Sequence, residues 1–165
     1  MKRHISICLI ALLTVCVGLL AQTRPNFSGT WKVELDPKTS ADTSQATQLT
    51  ISQNATAFTV DMTFGSSVDH FVFKLDGTDS PNNTRPINRP VVSHAAWVGN
   101  ALVISSSVED LHQGTIRMKQ SFSLVGDKLV VEVSATAQDG SAAMPPTKVA
   151  YKKTVSIGML EPKAI

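Results

Sequence analysis

From Phe58 to Phe64 every second residue is apolar, with Phe58, Val60, Met62 and Phe64 alternating with Thr59, Asp61 and Thr63. A period of two puts the apolar set on one face of a strand and the polar set on the other. The pattern returns in Leu129-Val131-Val133-Ala135, in Ile116-Met118-Gln120-Phe122-Leu124 and in Phe71-Phe73-Leu75. No stretch beyond residue 21 keeps a helical stripe. Adding shorter candidates gives about nine strands, at 27–35, 47–53, 57–64, 69–75, 92–98, 101–107, 115–124, 128–137 and 147–156. Short joints separate many of them. Val-Gly-Asn-Ala at 98–101 and Val-Gly-Asp-Lys at 125–128 supply Gly with Asn or Asp, residues that tolerate the positive φ of tight hairpins. The expected fold is all-β, an antiparallel meander. It closes into a barrel or packs as a β-sandwich, and alternation alone does not separate these two.

The first 21 residues stand apart. Lys2, Arg3 and His4 precede an apolar run from Ile5 to Leu20, and Ala21 leads into the polar Gln22-Thr23-Arg24. This is the layout of a secretory signal peptide cleaved near Ala21. The apolar run is shorter than the ~20 residues a spanning helix needs, so no stable membrane anchor is expected. Both cysteines, Cys8 and Cys16, lie in this leader. Bulky Val15 before Cys16, and the apolar residues after it, argue against a lipid attachment site there. The remaining chain, 22–165, is free of cysteine, which excludes cysteine chemistry and cysteine-ligated metal. Removing Lys2 and Arg3 from the 15 Lys and Arg balances the 13 Asp and Glu. The basic balance of the whole chain therefore belongs to the leader, and no affinity for nucleic acid follows from it. We expect a single β domain over 22–157, a frayed tail over 158–165, and export to a bacterial periplasm or the cell exterior.

Two polar stretches break the alternation. Asp36 to Ala46 carries Pro37 among Ser and Thr residues, and Asp76 to Pro90 contains Pro81, Pro86 and Pro90. The second reads either as a flap over one barrel end or as a solvated connector. The residues able to carry chemistry are scattered. His70, His94 and His112 fall in separate elements without metal-ligand spacing, so neither a metal nor a cofactor is expected. Asp69 and His70 are neighbours on a strand and point to opposite faces. Ser105-Ser106-Ser107 has no nucleophile elbow and reads as a hydroxyl-rich edge strand. Glu109-Asp110 reads as a solvated acidic pair at a turn. An enzyme is not expected.

The segment Asn26-Phe27-Ser28-Gly29-Thr30-Trp31 resembles the first strand of the calycins, the superfamily of lipocalins and fatty-acid-binding proteins. The resemblance implies a lipocalin-like barrel in which Gly29 and Trp31 plug one end. It also implies a basic residue of the last strand, Lys152 or Lys153, stacked across the indole. The same stretch is similar to a broad group of exported bacterial proteins with an (Asn/Asp)-Phe-Ser-Gly-Thr-Trp-Lys start. Those also carry a later Trp-x-Gly-Asn-x-Leu-x-Ile, here Trp97 to Ile104. The chain departs from fatty-acid-binding proteins in lacking an apolar helical face over Asp36 to Ala46. It lacks their Arg-x-Tyr clamp as well, with Lys148 and Tyr151 at another spacing. The barrel implies a small hydrophobic or amphipathic ligand among inward residues Phe58, Phe64, Phe71, Phe73, Met118, Gln120 and Phe122. A filled interior serving as a structural or interaction module of the cell envelope is the alternative.

Overall fold

The computed structural model describes residues 24–34, 45–84, 89–110 and 114–154. The expected leader and its cleavage point, most of the 36–46 stretch, His112 and the 158–165 tail lie outside the described residues. The described chain forms one ten-stranded antiparallel sheet. Its strands are β1 (Gly29–Val33), β2 (Gln48–Gln53), β3 (Ala57–Phe64), β4 (Ser67–Lys74) and β5 (Ser80–Thr84), then β6 (Arg89–Val98), β7 (Ala101–Asp110), β8 (Gly114–Val125), β9 (Lys128–Thr136) and β10 (Ala142–Lys153). Each strand pairs with its neighbour in sequence, except that β1 also pairs with β10 and no ladder joins β4 to β5. The result is the expected meander, rolled into a nearly closed barrel.

The two Gly-containing hairpins are built alike. Val98 pairs with Ala101 and Val125 with Lys128, and Gly99 and Gly126 take φ of 58° and 64° between them. Asn54 shapes the β2–β3 turn differently, its Oδ1 accepting from the amides of Thr56 and Ala57 at 2.9 and 2.8 Å.

The strand count differs from about nine because β5 runs through the stretch read as a loop. Ser80-Pro81-Asn82-Asn83-Thr84 has no apolar alternation, yet it pairs residue by residue with β6. Pro81 is tolerated because the other side of β5 has no backbone ladder to feed. Here Ser80 and Asn82 turn inward, 2% and 8% exposed. They bridge the open seam. The Val72 amide donates to Asn82 Oδ1 at 2.8 Å, Asn82 Nδ2 donates to Val72 O at 3.0 Å, and the Lys74 amide donates to Ser80 Oγ at 2.8 Å. A side-chain amide thus stands in for a missing peptide pair.

The first strand begins later than expected, at Gly29, and Phe27 belongs to a lead-in segment that crosses the barrel end. Gln53 pins this segment by accepting from the Phe27 amide at 3.1 Å and donating to Pro25 O at 2.9 Å. The last strand starts earlier, at Ala142, because register shifts between Ala142 and Thr147 absorb Pro145 and Pro146.

Candidate functional site

The inner wall of the barrel has two unlike ends. At the end reached by Phe27 the space is filled with rings. Phe58 and Phe122 are fully buried, edge to face with centres 5.1 Å apart. Phe27 meets Phe58 edge-on at 6.1 Å and stacks on Trp97 at 5.8 Å, and Phe58 lies 6.3 Å from Phe73. Such offset and edge-on contacts are the favourable geometries for aromatic pairs.

The Gly-x-Trp segment completes this end. Trp31 is 3% exposed, and its indole N–H donates to Phe27 O at 2.8 Å. Lys153 is directly opposite Trp31 in the β1–β10 register, with its Nζ 5.3 Å from the ring centre. Between the two expected cations the structure selects Lys153. Lys152 pairs with Lys32 on the outward face and does not reach the indole.

Towards the other end, where β1–β2, β5–β6 and β7–β8 connect, the inward residues are less covered. Phe64 and Phe71 only pack partly against the core, as do Val133 and Val149. Met118 and Gln120 share this inward face of β8 and are half-buried, Gln120 being opposite Ile104 and Val133. The Gln120 amide makes no hydrogen bond with any described residue. Near the rim, Tyr151 is buried, and its hydroxyl donates to Ala46 O at 3.1 Å. Burial pushes its phenol up to about 12, since loss of water penalises the anion.

Of the residues expected to face a ligand, Phe58, Phe73 and Phe122 therefore form the packed end. Phe64, Phe71, Met118 and Gln120 line the less covered end. Phe27 and Gln53, which make the plug, carried no site signal in the sequence, and neither did Trp97, whose indole N–H is buried without an acceptor among the described residues. The Trp97 ring also has Arg24 above it, 5.5 Å from its centre.

Several polar groups at the surface are spoken for locally. His70 bonds Asp61 across β3 and β4 at 2.5 Å, so its partner is a cross-strand residue and not Asp69 beside it. Asp76 and Asp139 accept from the backbone and hydroxyl of Thr78 and Ser141, and these bonds hold both carboxyls below the ordinary range. Lys128 donates to Glu34, which raises its ammonium above the usual lysine value. Ser105 to Ser107 do not lie on an edge, because β7 runs between β6 and β8. Glu109 and Asp110 end that strand, and Glu109 accepts from Thr115 Oγ1 at 2.9 Å. Among the described residues no group of three or more His, Cys, Asp or Glu could hold a metal ion, and no helix is long and apolar enough to cross a membrane.

No protein-family model matches this chain, and no curated protein matches it significantly.

Proposed function

We propose that this chain is an exported, lipocalin-like binding protein without catalytic activity, which holds a small apolar or amphipathic molecule in the less covered end of its barrel. The observation that carries this reading is Gln120. An inward side-chain amide set between Ile104 and Val133 and two residues from Met118, with no bond to a described residue, leaves two donors and an acceptor for a guest's polar group. The half-buried apolar side chains around it supply the surface a hydrocarbon would cover. The signal-peptide layout of residues 1–21 supports a role in the periplasm or outside the cell. The calycin resemblance of Asn26 to Trp31 points the same way.

Native mass spectrometry of protein purified from its own host tests the proposal. A retained small molecule, displaced by a fluorescent fatty-acid probe, is the expected result. Gln120→Leu should keep the fold and weaken the probe about fivefold to tenfold, the effect of losing one hydrogen bond. A clean apo mass, together with no probe binding by the wild type, would overturn the proposal. That outcome favours the alternative of a structural envelope module, which rests on the ring-filled end around Phe58 and Phe122.

A further inference from the structure

Outside the barrel, over β6 to β9, lies a groove of about 540 Å³, within the ~300–1,000 Å³ typical of small-molecule sites. Two adjacent outward rows cross it. In the first, Arg117 of β8 sits between Ser107 of β7 and Thr136 of β9. In the second, Lys119 sits between Ser105 and Ser134. Each row therefore sets a cation between two hydroxyls. Residues two apart on a strand point the same way, so the two side chains leave the sheet about 7 Å apart.

The charges around the groove leave these two cations free. Arg117 and Lys119 are exposed and have no ion pair or hydrogen bond from their side chains among the described residues. Neighbouring acids have other partners: Glu132 bonds Lys148 at 3.1 Å, and Glu109 accepts from Thr115. Asp79, at the rim, faces His94 at 3.9 Å. The floor is closed underneath by Ser93 and Ser106, whose hydroxyls share a bond of 2.8 Å on the inward face.

We infer that this outer groove is a binding site for a small organic dianion with two carboxylate or phosphate groups about 7 Å apart. Each oxyanion takes one row: Arg117 and the Ser107 hydroxyl donate in the first, where the Thr136 hydroxyl donates to Arg117 O at 3.5 Å, and Lys119 with the Ser105 and Ser134 hydroxyls donate in the second. Charge-assisted bonds of this kind are the stronger class. The linking chain lies over the strand backbone between the rows, where Ser106, Met118 and Ala135 turn their side chains inward. The groups proposed to bind, Ser105, Ser107, Arg117, Lys119 and Ser134, alternate along β7, β8 and β9 with the inward-facing residues Ser106, Met118 and Ala135, so they lie on the opposite face of the sheet from Gln120.

Titration of the full mature chain with adipate at low ionic strength, followed by backbone amide NMR, tests the site. Hexanoate serves as the one-headed control of equal length. Adipate should shift the amides of Ser105, Ser107, Arg117, Lys119, Ser134 and Thr136 and bind at least about tenfold tighter than hexanoate. Arg117→Gln and Lys119→Gln should each weaken adipate about tenfold, whereas Lys74→Gln on β4 should leave it unchanged. Added salt should weaken it further, as for exposed charges. Equal binding of adipate and hexanoate, an unchanged affinity in the double variant, or shifts confined to residues around Gln120 would overturn the assignment. So would the absence of any adipate-dependent shift.

Discussion

Gly29 leaves room for the stem of Lys153. A β-carbon built at residue 29 would lie 2.5 Å from Lys153 Cε, and the backbone there has a φ of +135°. Gly29→Ala therefore meets both a contact and a strained backbone, and should lower stability by about 1–3 kcal/mol in urea unfolding. Lys153→Ala should cost about 0.5–1 kcal/mol in the wild type through loss of the contact with Trp31. In the Gly29→Ala background it should cost less, since the displaced lysine no longer stacks. Equal costs in the two backgrounds would separate the glycine from the cation. The two tryptophans give a second comparison at this scale. Trp31 donates to Phe27 O, whereas the Trp97 N–H is buried without an acceptor among the described residues. Trp31→Phe should thus cost about 1–2 kcal/mol more than Trp97→Phe, because only the first leaves a carbonyl stripped of its partner. Thermal unfolding of the two variants measures the difference, and a larger loss at Trp97 would mean its N–H is already satisfied.

At the scale of elements, the seam between β4 and β5 is where the barrel differs from a continuous ladder. Its polar groups meet through Asn82 and Ser80, and an unsatisfied buried amide or carbonyl costs ~1–3 kcal/mol. Asn82→Ala should destabilise the protein by about 2 kcal/mol. Hydrogen exchange should accelerate first at the amides of Val72 and Lys74, ahead of the central strands β8 and β9. Uniform acceleration would show that the seam opens only with global unfolding. This element also marks the limit of what the sequence revealed. The meander, the paired Gly hairpins and the inward sets Phe58-Val60-Met62 and Leu129-Val131-Val133 were legible because one buried face imposes a period of two. Strand β5 was not, since its inward positions are Ser80 and Asn82 and its role is to pair polar groups, which leaves no hydropathic trace. The first turn of β10 was hidden by Pro145 and Pro146, which only a register shift accommodates. Phe27, Gln53 and the outer groove depend on which strands become neighbours, and Ser105, Arg117 and Thr136 converge through cross-strand register alone.

At the scale of the whole molecule, Tyr151 joins the last strand to the approach of β2 through its bond to Ala46 O, a contact spanning 105 residues of chain. Its phenol is raised from 10.0 to about 12 in the folded state because burial disfavours the anion. The folded protein therefore holds the phenolic proton more tightly than the unfolded chain. Its stabilising contribution is complete below about pH 10, declines as pH rises, and is lost above about pH 12. A shift of about two units corresponds to roughly 3 kcal/mol over that window. Lys128, raised by Glu34, also loses its contribution on the alkaline side, so the comparison must isolate the phenol. Tyr151→Phe does so. Below pH 10 it should be less stable by about 1 kcal/mol, the value of the lost hydrogen bond, and between pH 10 and 12 its stability should fall less steeply than the wild type's. The chain has a single tyrosine, so tyrosinate absorbance reads this group without interference. A phenol titrating near 10 in the folded protein, or parallel alkaline slopes for the two proteins, would mean that water reaches the rim of the barrel at Tyr151. The less covered end proposed to admit a ligand would then extend past Val149 to the β1–β2 connection.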